Sequence, residues 1–225
     1  MMSGQSFVEL AFIVPLLLIM LVGVVEIAFA MFAYMTAVDL TREAARFASV
    51  RDYHVQDIVA PGDNPSDNCE PGDSDQDCAC GDALLHFYRD TACFFTDPSL
   101  NSFLEFSADK YDDVVISVLT VTDNNVTDRH PNPIWTLNGD NWKKDCHGNV
   151  VLDHPYFTDD LVESKFSVNA TDDRGLVIVE AYICYDLILP MPLISDYIGS
   201  PYRIHAYTVM PDSEAIPTPT AIPSP

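Results

Sequence analysis

The sequence predicts an α+β protein, in which a long N-terminal apolar helix carries a small outer domain built on an antiparallel sheet and stapled by disulfides. Three observations predict it. Charge divides the 225 residues sharply: residues 1–38 hold two acids, Glu9 and Glu26, and no Lys or Arg, while the rest of the 34 acids and all 11 bases follow. All six cysteines lie beyond that apolar stem. Three β-branched, aromatic-rich segments then follow a long acidic stretch. The formal net charge of −23 excludes nucleic acid as a partner, because phosphates would meet a like-charged surface.

Residues 10–38 read LAFIVPLLLIMLVGVVEIAFAMFAYMTAV, with Glu26 the only charge. As a helix this stretch is roughly 43 Å long, more than the ~30 Å hydrocarbon core of a bilayer. Beyond Val38 the pattern turns amphipathic, with Leu40, Ala44, Phe47 and Ala48 recurring at three- and four-residue spacing. One helix is expected from about Gln5 to about Val50, leaving the membrane near Val38 with Tyr34 at the interface. Pro15 removes a backbone donor and should kink or locally melt it. Three readings of this stem compete. A cleaved signal peptide would use Ala28-Phe29-Ala30 and leave Met31 as the first residue, but there is no positive n-region and the helical pattern runs on past the cut. A plain signal anchor is the second. The third rests on the opening residues, MMSGQSFVE: a glycine, Gly4, then Gln5, with Glu9 fifth from it.

That arrangement resembles the type IV pilin signature, and the wording GQSFVELAFIVPLLL with EIAFAMFAYMTAVDLTREAARFASV is similar to the TadE-like pilin family of tight-adherence pili. VIVEAYICYDLILPMPLI and RIHAYTVM are similar, more weakly, to that family's closing strands; residues 52–175 carry no resemblance. The resemblance implies a prepilin peptidase cutting after Gly4 and an assembly machinery stacking identical subunits or other pilins through their stems. The product would be a surface filament for adhesion, membrane-anchored before assembly. The chemistry agrees. Glu9 in hydrocarbon costs at least a few kcal/mol unless paired, and the new ammonium of Gln5 on a neighbour can pair with it and set subunit register. Glu26 would face a neighbouring subunit or be protonated in lipid. MMSG lacks the Lys or Arg usual before the glycine, and Arg42, Arg46 and Arg51 on the far side favour the opposite orientation. The cysteines and the acidic domain, which belong outside, decide for translocation of residues 52–210.

In order, the chain divides into a leader (1–4), stem (5–51), acidic domain (52–210) and Pro/Thr/Ser-rich tail (211–225). Cys69, Cys78, Cys80, Cys93, Cys146 and Cys184 are an even set in a translocated domain and should form three bridges, of which fifteen arrangements exist. The paired C-x-x-C spacing of a metal site is missing. Residues 52–82 should be an acidic loop. Within it Asp73, Asp75 and Asp77 alternate like calcium ligands, but position six is Cys78 and position twelve Leu84, so this is no EF-hand. Calcium is the one cofactor worth naming; otherwise none is expected.

Residues 82–95 should form a short helix capped by Asp82, with Leu84, Leu85, Tyr88 and Ala92 as its stripe. Strands are expected at 114–122, 176–187 and 203–210, with Val177, Val179, Ala181, Ile183 and Tyr185 on the face that packs against the stem. Residues 123–160 look like a long decorated loop anchored by Trp135 and Trp142. Asn125 and Asn169 head glycosylation sequons, and Thr218, Thr220 and Ser224 lie in a proline-rich tail suited to O-glycosylation. No catalytic motif is present, and the pairs Asp112-Asp113, Asp159-Asp160 and Asp172-Asp173 read as strand and turn residues rather than catalytic dyads. The protein is expected not to be an enzyme. A membrane-anchored, calcium-dependent extracellular binding module is the alternative to the pilin reading.

Overall fold

In the computed structural model, the described residues are 5–51, 53, 87–97, 104–166, 174–188 and 200–212. The stem is one helix, α1 (Gln5–Ala48). It runs unbroken through Pro15, so the expected local melting does not occur; a proline forfeits one hydrogen bond, and a long apolar helix retains all its others. Its upper half carries a stripe of small residues: Ala33, Ala37, Ala44, Ala45 and Ala48 are wholly buried. Short side chains there let a sheet lie close against the helix, which long ones would hold off.

The head is a four-stranded antiparallel sheet in the order β2-β1-β3-β4, made of β1 (Asp113–Thr122), β2 (Asn125–Thr136), β3 (Arg174–Tyr185) and β4 (Tyr202–Asp212). β1, β3 and β4 fall where β-branched alternation places them. The β3 residues 177, 179, 181, 183 and 185 do share the core with α1, as expected. Joining them are α2 (Phe87–Thr96), whose Tyr88 and Ala92 point inward, and Ile116 and Val118 of β1. Asp82, Leu84 and Leu85 lie outside the described residues, as does the acidic loop.

Two findings depart from expectation. Residues 123–160 are not a long loop. They hold β2, a one-turn 3₁₀ helix at Asn141–Lys143 and the start of α3 (Asp159–Phe166). β2 was hidden because Pro131 and Pro133 break its pattern; proline is admitted there because β2 is an edge strand with no ladder bond to donate on its outer side. The hairpin joining it to β1 turns on Asp123 and Asn124, both with positive φ (50° and 67°), a two-residue turn whose twist suits antiparallel strands. Second, β3 is buried on both faces. Its reverse side packs under this same 140–166 segment: Ile178 and Leu176 against Phe157 and Val162, Tyr182 against Trp142. The head is thus three layers, with helices α1 and α2, the sheet, and the cover formed by residues 140–166. β4 continues to Asp212, two residues into the stretch expected to be tail.

Both tryptophans act as anchors. Trp135 pairs with Ile116 and stacks on Tyr88 at 5.8 Å, and Trp142 is buried on the opposite face. The Cys146–Cys184 disulfide ties the cover to β3 across 38 residues. Gly148, beside it, has φ +83°, and a Cβ there would meet the Tyr111 hydroxyl at 2.7 Å, so glycine is required on both counts.

Candidate functional site: the stem and its junction with the head

Below the head, the stem presents apolar side chains to the outside. Leu10, Phe12, Leu16, Leu17, Met20 and Val24 are each more than half exposed, and the helix is long and apolar enough to cross a membrane. A patch of this kind on a soluble monomer would be a liability; it needs lipid or other helices around it. Glu9 lies exposed on this segment. Gln5 opens the helix and Gly4 lies outside the described residues.

Glu26 behaves differently. It is only 9% exposed among neighbours such as Val24 (67%) and Ile27 (64%). Its Oε1 accepts the backbone N–H of Ile188 at 2.8 Å, just past the end of β3. Tyr185 and Tyr202 sit near enough that its charge, after burial, helps push their hydroxyl pKa values up. Glu26 is therefore an intramolecular tie between stem and head. Sequence reasoning offered it only a neighbouring subunit or lipid, since the partner is a main-chain N–H 162 residues away and leaves no side-chain signal.

Further up, Thr41 Oγ1 meets Thr208 Oγ1 of β4 at 3.1 Å. At the top, Arg51 pairs with Asp90 of α2 at 3.0 Å while its guanidinium lies 4.0 Å from the Phe47 ring centroid. Polar links at three heights along an alanine-lined contact fix both the height and the rotation of the head on the helix.

Three buried carboxylates organise the head itself. Asp112 accepts the N–H groups of Ser107 (2.8 Å) and Cys184 (2.6 Å). Asp113 accepts those of Val114 (2.9 Å), Asn138 (2.8 Å) and Trp142 (3.0 Å). Burial pushes their pKa values up to about 6 and about 7, against the pull of those same N–H groups toward the ionised form. Glu180, on the reverse face of β3, accepts from the Tyr182 hydroxyl (2.8 Å) and from the N–H groups of Tyr156 (3.1 Å) and Phe157 (3.3 Å), with His205 Nε2 at 3.2 Å. Each carboxylate satisfies main-chain donors of an irregular segment; none faces a cavity with a second catalytic group. Asp159 and Asp160 sit in the first turn of α3, where the helix dipole favours them. Asp172 and Asp173 lie outside the described residues.

An open cleft of about 690 Å³ lies beside β2, lined by Ile134, Trp142, Lys143, His154 and Asp159 among others. Its cations are engaged: Arg129 with Asp159 (2.7 Å) and Lys143 with Asp140 (2.6 Å). Among the described residues no three His, Cys, Asp or Glu side chains gather as a metal site. Asp73, Asp75 and Asp77 lie outside those residues, as do Cys69, Cys78, Cys80, Asn169, Thr218, Thr220 and Ser224. Cys93 is disulfide-bonded, and no described cysteine is free. Asn125 is exposed beside the β1–β2 turn.

Residues 4–46 match the family model described as TadE-like protein. The match spans Gly4 and nearly the whole stem, and it stops short of the head. No curated protein and no solved structure matches the chain.

Proposed function

We propose that the chain is the pilin-like subunit of a tight-adherence filament, held in the membrane by α1 until its stem packs among the stems of other subunits. The observation that carries the reading is the coincidence of the TadE-like match over residues 4–46 with a stem whose described side chains from Glu9 to Met20 are exposed and apolar apart from Glu9 itself. Cutting after Gly4 would give Gln5 a free ammonium, and Glu9 is the carboxylate within reach of a staggered neighbour. Register-setting is the best-attested use of such a buried pair. The assembled product is a surface fibre, with the acidic head outward and Asn125 open to modification.

The test is Glu9→Ala, combined with N-terminal peptide mapping of sheared filaments. Mature chains should begin at Gln5. Glu9→Ala should abolish filaments while the monomer level and the Cys146–Cys184 bridge stay normal. Normal filaments from Glu9→Ala cells would remove the register role. A second reading, a membrane-anchored binding module, is favoured by the cleft beside β2; it requires the protein to stay in the membrane fraction after shearing.

A further inference from the structure

The connection from β3 to β4 begins where the stem meets the head. Because the Ile188 N–H is bonded to Glu26 Oε1, Ile188 is held at the height of residue 26 on α1. From Gln5 to Glu26 the helix rises ~31 Å, the thickness of a bilayer's hydrocarbon core. With Gln5 at the inner boundary, Glu26 and Ile188 reach the outer one. Sliding the stem inward carries Ile188 deeper. Sliding it outward draws polar Gln5 and Ser6 into hydrocarbon and takes the carboxylate of Glu9, already about 6 Å inside it, deeper still. The depth of Ile188 is also limited from the other side. Asp186, half exposed, is paired with Lys110 at 3.4 Å, and Lys110 with Glu105 at 2.9 Å. That charged group belongs among headgroups, and two residues of chain span at most ~7 Å.

Ile188 is thus placed at the seam between headgroups and acyl chains, with its side chain 48% exposed. The sequence from Leu187 to Ile194 contains no charged side chain. Glu26 is covered by the head on one side, while Val24 and Ile27 face outward beside it.

We propose that the unassembled subunit rests its head on the outer leaflet, with Leu187 and Ile188 in contact with lipid and Glu26 shielded beneath them. The proposal rests on the membrane-inserted stage of the pilin reading. It makes the inserted unit a helix with an apolar foot at the height of Glu26, while the stem's exposed apolar side chains run on past it to Met35.

Bromolipid quenching tests it with the full-length chain in phosphatidylcholine vesicles. Ile188→Trp adds an emitter to a constant background, since Trp142 is buried and Trp135 packs in the core. Leu17→Trp, on the exposed mid-stem, reports whether the chain is inserted at all. Ile188→Trp should lose most of its added emission to lipids brominated near the headgroup, and Leu17→Trp to lipids brominated near the acyl terminus. Leu187→Trp repeats the reading one residue away, so that a local defect at one site does not decide it. If Leu17→Trp is quenched while both head variants keep their emission, the apolar foot is overturned and the pilin reading stands. If none is quenched, membrane insertion and the foot fall together.

Discussion

At the residue scale, the head depends on carboxylates placed where water cannot reach them. Asp113 is wholly buried and satisfies three main-chain donors from β1 and the segment after β2. Its pKa, raised to about 7 by burial, and that of Asp112, raised to about 6, exceed the ~4 of an unfolded aspartate. The folded chain therefore holds protons that the unfolded chain has released, and stability falls as pH rises from ~4 through ~7. The thermal midpoint should be higher at about pH 5 than at about pH 8. Asp113→Asn should flatten that slope. It should also cost about 1–3 kcal/mol at acid pH, because the amide nitrogen would replace one acceptor oxygen and leave a buried N–H unpaired. A pH-independent melting profile in the wild-type protein would reject this account.

At the scale of elements, the contact of α1 with the sheet depends on side-chain size. Ala37 and Ala44 are wholly buried. Ala37→Leu should push the sheet off the helix and lower head stability by about 1–3 kcal/mol. Met35→Leu, two positions away and mostly exposed, should leave the midpoint unchanged, as thermal melts in detergent can check. This contact was legible in the sequence. The alternation of Val177, Val179, Ala181, Ile183 and Tyr185 gives one strand face, and the spacing of Leu40, Ala44 and Ala48 gives the helix face that meets it. The second face of β3 was not legible. Leu176, Ile178 and Tyr182 also alternate, but their cover comes from Trp142, Phe157 and Val162, which lie in stretches too polar and too short to show a period. β2 was missed for a related reason, since strand propensity penalises Pro131 and Pro133 without regard to position in the sheet. The partner of Glu26 was missed because a hydrogen bond from the Ile188 main chain writes nothing into that residue's side chain.

At the scale of the whole molecule, a small head with formal charge −23 on the chain needs reinforcement. The Cys146–Cys184 bridge joins residues 38 apart and pins the cover to the central strand. It should contribute about 2–4 kcal/mol. Reduction, or the double change Cys146→Ala with Cys184→Ala, should lower the midpoint, most at low ionic strength, where unscreened acids repel. An unchanged midpoint would mean that packing alone holds the cover. Stem and head are otherwise knit by contacts between distant parts of the chain.

The first element and the last strand touch: Thr41 and Thr208 are neighbours across 167 residues. That closure has a consequence for timing. A chain emerging N-terminus first can raise its stem and pair β1 with β2, but β3 keeps an open edge and α1 an uncovered flank until residues 202–212 arrive. Loop-closure entropy of that span is spent late, so folding of the head waits for the arrival of β4. A subunit truncated before β4 would stay sticky at both places. The closing strand is therefore a check that delivery has reached residue 212, and a copy cut short of it has no finished head to carry onward.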